Sequence, residues 1–114
     1  MVIYKYSLGV GGDRTLIKNV HKFLKVDNQP GSGPRVWAVV DEEKIFGSDY
    51  EIECYGTGWP IKDYNGYIGT LIDDYGYVWH YFARRKDKNT LDMYAESTIY
   101  NTMDNLATLS RFDG

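Results

Sequence analysis

Between residues 50 and 85 the chain reads YEIECYGTGWPIKDYNGYIGTLIDDYGYVWHYFARR, and this stretch restricts the possible folds more than any other. Its apolar residues recur at every second position in short runs, and each run stops at a glycine-bearing turn. That is the period of pleated strands, not of helices. Tyr50, Ile52 and Cys54 alternate with Glu51, Glu53 and Tyr55, so one trio is expected to face a core and the other solvent. The two glutamates then read as a solvated strand face. An acid–base pair of carboxyls would need an enclosed site to separate its pKa values. Asp73-Asp74-Tyr75-Gly76 turns residues 67–72 back onto residues 77–83, a hairpin in which Val78, His80 and Phe82 face one way and Tyr77, Trp79 and Tyr81 the other. His80 sits among apolar neighbours with no serine or cysteine motif nearby. It reads as a sheet histidine with its ring satisfied, not as a general base.

Upstream, residues 2–8 alternate as a first strand, and Gly9, Gly11 and Gly12 mark a turn. Residues 14–20 and 21–27 are expected to form a second and a third strand, with the break between them unmarked. Residues 28–34 form the clearest loop, carrying Pro30 and Pro34. This loop lacks the Lys-Ser/Thr ending and following helix of a phosphate-cradling loop. Residues 35–41 have the β-branched and aromatic content of a central strand, and residues 42–49 are acidic and turn-like.

At 114 residues, with 43% hydrophobic and 25% charged residues, the chain suits one core and neither disorder nor a membrane span. The amino terminus has no secretory pattern, so a cytosolic protein is expected. Cys54, the single cysteine, can form no internal disulfide, and two histidines are too few to complete a zinc site around it, so no metal or cofactor is expected. A net charge of −3 argues against bulk nucleic-acid binding. Tyrosine, at 11 residues, is the compositional excess; flat rings suit strand surfaces, and they also suit a binding face.

From Asn89 the period changes. Leu91, Tyr94, Ala95, Ile99, Met103, Leu106 and Leu109 recur at three- and four-residue steps, with Asn89 as N-cap and Asp92 in the first turn. The expected organisation is an antiparallel β domain over residues 1–86 and one amphipathic helix over residues 87–114. The helix either packs on the sheet or mediates oligomerisation through Leu91, Tyr94, Ile99, Met103 and Leu106. The fold class is mainly β (α+β), a sheet or sandwich of about six to seven strands.

The segments RVWAVVD, YGTGWPI and NGYIGTLIDDYGYVWHYF, in this order after IYKY, resemble a family of small domains of unknown function common in bacteriophage and prophage genomes. The matching positions are residues 3–6, 37–41, 56–61, 67–70 and 78–82. The resemblance implies a phage-related origin and a compact β domain, and it brings no established activity. The loop at residues 30–34 looks longer than the family's usual turn, and the helix from Asn89 looks like an addition.

These features favour a non-enzymatic accessory protein in the host cytoplasm. It would bind a host or phage protein, such as a component of a defence or transcription system, and self-associate through the helix. A second class is capture of a nucleotide signal, with Trp59, Tyr64 or Tyr67 stacking on a base and Arg84 or Arg85 taking phosphate. A third is single-stranded nucleic-acid binding on exposed aromatics, against which the acidic balance speaks.

Overall fold

The computed structural model describes residues 1–86; the expected helix, with Leu91, Tyr94, Ile99, Met103 and Leu106, lies outside the described residues. Six strands are present: β1 (Val2–Ser7), β2 (Arg14–Gln29), β3 (Gly33–Val40), β4 (Ser48–Gly56), β5 (Tyr67–Ile72) and β6 (Val78–Arg85). They form one sheet in the order β1-β3-β2-β4-β6-β5, and every neighbouring pair is antiparallel. No helix occurs among the described residues.

The second and third expected strands are one. β2 runs 16 residues, and its first half pairs with β4 while its second half pairs with β3. Val20 stands at the joint, opposite both Val40 and Ser48. The bend is made at Asn19, whose φ of 61° is a conformation that asparagine tolerates better than most residues. Asp49 Oδ1 accepts from the Asn19 amide at 3.0 Å, and the Asn19 carbonyl accepts from the Asp41 amide at 2.9 Å. Both backbone groups of Asn19 are therefore hydrogen-bonded, and the strand bends there without a chain reversal.

The loop expected at residues 28–34 is also shorter than its composition suggests. The ladder continues to Asn28↔Pro34 and Gln29↔Gly33, and Ser32 closes a tight turn by donating to the Gln29 carbonyl at 2.8 Å. Pro34, which has no N–H to give, still accepts from the Leu8 amide at 3.0 Å.

The sheet curls until β5 lies across the second half of β2. Gly69 makes the approach possible, because a Cβ there would stand 2.7 Å from Val26 Cβ. Asp74 ties the two hairpin tips together, accepting from Asn28 Nδ2 at 2.9 Å and from the Gly31 amide at 3.0 Å. The curl encloses Ile17, Val36, Ala38, Ile52, Leu71 and Tyr81. Tyr81 is the largest of these, and its hydroxyl donates to the Gly9 carbonyl at 2.8 Å, which fastens the β1–β2 connection over the core. Cys54 is buried beside it, and burial pushes its thiol pKa up.

Candidate functional site

On the outer face of β4 and β6 the structure corrects one expectation. Glu53, expected in solvent, is only 8% exposed. Its carboxylate accepts from Arg84 Nε at 3.1 Å, Arg14 Nη1 at 3.2 Å and the Tyr55 hydroxyl at 2.9 Å. Alternation assigns a face and not a depth, and here the side chains beside Glu53 cover it. Burial pushes its carboxyl pKa up, but Tyr55, Arg84 and Arg14 together outweigh this and hold it below the ordinary range. Glu51 keeps the outer position expected of it and takes a surface ion pair from Arg14 at 3.1 Å.

Arg84 reaches past Glu53 to the loop between β4 and β5. Its guanidinium donates to the Asp63 carbonyl at 2.6 Å and to the Asn65 carbonyl, and it lies 5.3 Å from the centroid of the Phe82 ring. All of these are bonds to the protein itself. The loop they hold carries Trp59, which folds back over the end of β4. The Trp59 amide donates to the Gly56 carbonyl at 3.1 Å, and the indole covers Gly56, where a Cβ would stand 2.8 Å from the ring.

Two larger hollows flank this indole, beside a third of about 90 Å³ that it shares with Gly12, Arg14, Glu53, Cys54 and Tyr55. One, of about 520 Å³, is lined by Gly56, Thr57, Gly76, Tyr77, Val78 and Trp79 as well as Trp59. The other, of about 220 Å³, is bounded on its far side by Tyr55, Ile61, Tyr67, His80 and Phe82. Trp59 walls both because β6 sends Trp79 to one face and His80 to the other at the end of the strand. The ring centroids of Trp59 and Trp79 are 5.8 Å apart at 80°, and Tyr77 leans on Trp79 at 52°. Trp79 is fixed by its indole N–H, which donates to Asp73 Oδ2 at 2.8 Å. That bond, with the amides of Tyr77, Tyr75 and Gly76, holds the Asp73 carboxyl below its ordinary pKa despite partial burial. Asp73 is thus committed to shaping the turn.

In the smaller hollow a hydrogen-bonded chain crosses the surface. Thr57 Oγ1 lies 2.7 Å from His80 Nε2, Thr70 Oγ1 lies 2.9 Å from His80 Nδ1, and the Tyr67 hydroxyl lies 2.6 Å from Thr70 Oγ1. A hydroxyl beside an imidazole is the geometry of an activated nucleophile, but the third partner here is a neutral hydroxyl. It lacks the carboxylate that stabilises the imidazolium in hydrolytic triads. Among the described residues no cluster of histidine, cysteine and carboxylate side chains is placed to hold a metal ion.

Of the residues expected at a binding face, Trp59 and Tyr67 meet at the same hollow. Tyr64 projects from the loop that Arg84 holds and lines neither hollow, and Arg85 lies at the end of β6 opposite Tyr50. Sequence reasoning missed Thr57, Tyr77 and Trp79 as partners of Trp59. The register pair Gly56↔Trp79, which no local signal in the sequence marks, brings them together across strands far apart in the chain.

The chain belongs to a family of domains of unknown function, DUF7352, whose model matches residues 1–92 and so takes in all six strands. No curated protein and no solved structure matches it.

Proposed function

We propose that this chain is a non-enzymatic binding protein that captures an exposed segment of a protein partner in the aromatic cleft around Trp59. One observation carries the reading: Trp59, Tyr67 and Tyr77, with Ile61 beside them, leave large apolar area in water around two hollows, and the three rings are held by the protein's own contacts. Exposed apolar patches that are built and rigid are the usual mark of an interface. The sequence resemblance to phage and prophage domains extends the proposal to a phage-encoded accessory protein in the host cytoplasm, antagonising a host defence or transcription factor. The C-terminal segment, with its apolar stripe, is proposed to join copies of the chain.

Nucleotide capture is the second reading, and the commitments of Arg84 weigh against it. The two larger hollows carry no lysine or arginine in their lining, and Arg14, which lines the third, is paired with Glu51 and Glu53, which weighs against single-stranded nucleic acid as well. The test is purification of bound host or phage proteins on immobilised wild type and on Trp59→Ala. A stoichiometric partner kept by the first and lost by the second is expected; identical recovery on both removes the cleft from the interface. A nucleotide panel in thermal unfolding is the cross-check, since a ligand at a hundred times its Kd adds about 2.7 kcal/mol.

A further inference from the structure

We infer that residues 87–114 dock on the outer face of β1, β3 and β2, around Trp37, and that copies of the chain are joined by exchanging these segments; the exchange rests on the joining of copies proposed above. The first ground is the composition of the face. Strand pairing lays out three rows across β1, β3 and β2: Ile3, Val39 and Lys22; Lys5, Trp37 and Lys25; Ser7, Arg35 and Asp27. The opposite face of β3 carries Val36, Ala38 and Val40, all buried, whereas Ile3 is 62% exposed and Trp37 and Val39 are half-buried. An apolar strip of Ile3, Val39 and Trp37 thus lies open among four cations, the form of patch that marks an interaction site.

The second ground is charge. In these rows Lys5, Lys22, Lys25 and Arg35 stand beside one carboxylate, Asp27, which Lys25 meets at 3.2 Å. Lys5 donates instead to Gln29 Oε1 at 3.0 Å, and Arg35 to the Pro34 carbonyl at 2.9 Å. Farther along the same face the cations are matched, since Arg14, Arg84 and Lys86 all meet Glu51 or Glu53. The surplus on β1, β3 and β2 has its complement in the sequence. Residues 1–86 hold equal numbers of cationic and acidic side chains, so the chain's net charge of −3 belongs to residues 87–114, where Asp87, Asp92, Glu96, Asp104 and Asp113 stand against Lys88 and Arg111. The same residues carry the apolar positions Leu91, Tyr94, Ile99 and Met103. An occupant both acidic and apolar complements the face.

The third ground is the point of exit. The Lys86 amide donates to the Asp49 carbonyl at 2.8 Å, and Lys86 Nζ lies 3.7 Å from Glu51 on the outer face. Ser48, next to Asp49, pairs with Val20, which stands just before Lys22 on β2. Two strand spacings, about 10 Å, therefore separate the exit from the β2 side of the basic face, and residues 87–90 are long enough to span them. The apolar positions begin just past that reach, at Leu91. The same segment meets the same face on a second copy lying alongside, and exchange of an identical element joins copies at low cost.

The test is zero-length carbodiimide cross-linking of the full chain, as an equal mixture of unlabelled and isotope-labelled protein, with the joined peptides mapped by mass spectrometry. Links from Asp92, Glu96 or Asp104 to Lys5, Lys22 or Lys25 are expected, with mixed-isotope pairs among them. Lys22→Glu with Lys25→Glu should abolish these links and weaken self-association about tenfold or more in light scattering, and adding Asp92→Lys with Glu96→Lys should restore it. Both lysines are exposed, so an unchanged circular dichroism spectrum separates lost docking from lost folding. Links to the same lysines within one isotope alone remove the joining of copies and leave the docking face standing. Links from residues 87–114 that avoid these three lysines, or no links at all, overturn the inference. Self-association that is indifferent to the charge reversal also overturns it. Shielding of the three lysines from acetylation by a single-stranded oligonucleotide, with no link to residues 87–114, assigns the face to nucleic acid instead.

Discussion

Replacing Arg84 by alanine should release the β4–β5 loop from the sheet while leaving the sheet itself folded. The side chain is 20% exposed and donates to Glu53 Oε1 at 3.1 Å, to the Asp63 carbonyl at 2.6 Å and to the Asn65 carbonyl. Breaking a buried ion pair costs roughly 3–5 kcal/mol when the remaining charge is stranded. Glu53 is not stranded here, because Arg14 at 3.2 Å and the Tyr55 hydroxyl at 2.9 Å remain, and the two loop carbonyls regain water. The loss should therefore fall below that range, at about 2 kcal/mol, the scale of hydrogen bonds to a charged group, or roughly 8–16 °C in Tm for a domain of this size. Arg84→Lys should recover only part of it, since an ammonium cannot span a carboxylate and two carbonyls as the planar fork does.

Urea unfolding gives the magnitude, and trypsin gives the location. Lys62 lies in the exposed loop, and cleavage after it should accelerate in Arg84→Ala under conditions where the wild type is resistant. A double-mutant cycle with Glu53→Gln should return a coupling of about 1.5–3 kcal/mol, the range for hydrogen bonds to charged groups. A loss below about 1 kcal/mol, the scale of an exposed pair, together with unaltered cleavage at Lys62, would refute the argument that Arg84 holds the loop.

Gly69→Ala should destabilise by about 1–3 kcal/mol through overpacking against the Val26 Cβ, and in a Val26→Gly background, which lacks that Cβ, the same substitution should cost less; purely additive losses in urea unfolding would mean that β5 does not lie across β2. Acid should unfold the protein progressively. The Asp41 carboxyl is held low by the Phe46, Glu43 and Ile45 amides against the effect of burial, and Asp73 and Glu53 are lowered as described. Depressed carboxyls in the folded state mean that the unfolded chain takes up protons first. Their stabilisation is thus complete above the unfolded values near pH 4 and disappears below them, and a flat urea midpoint from about pH 5 to 3 would contradict it. Cys54 should react with a thiol reagent slowly in the folded protein and at once in urea, because burial both shields the sulfur and raises its pKa; immediate labelling of the native chain would place Cys54 outside the core.

Strands marked by alternation or by a β-branched and aromatic run were readable from the residues: β1, β3, β4, β5 and β6 fall within a few residues of their expected places, β5 despite an irregularity between Tyr67 and Gly69. β2 was not, because a bulge at a single asparagine shifts the alternation without a glycine or proline to mark it, and the contacts that support Asn19 come from Asp41 and Asp49, beyond the strand itself. The Pro30–Pro34 region failed for the opposite reason: loop composition is visible locally, whereas the ladder bonds that carry pairing to Gln29 and Gly33 depend on the partner strand. Glu53 shows the same limit, since its burial comes from Arg14 on β2 and Arg84 on β6. At the cleft, Trp59 and Tyr67 were legible as exposed aromatics in a turn-rich stretch. Their neighbours Tyr77 and Trp79 required knowing that β4 pairs with β6.

The aromatic cleft is not a by-product of building the core. Ile17, Val36, Ala38, Ile52, Leu71 and Tyr81 fill the interior without any ring from the cleft's exposed rim, so Trp59, Tyr67 and Tyr77 are not needed to close it. Leaving such rings in water forgoes the stabilisation that burying them would give. The rings are nevertheless immobilised, Trp59 against Gly56, Trp79 through Asp73 and Tyr67 through Thr70. A surface that is apolar and already ordered loses little side-chain entropy when covered, which is the condition under which a few aromatic residues can dominate an interface. Arg84 and Asp74 belong to the same arrangement: neither lines the cleft, yet one anchors the loop that carries Trp59 and the other anchors the β5–β6 turn that carries Tyr77.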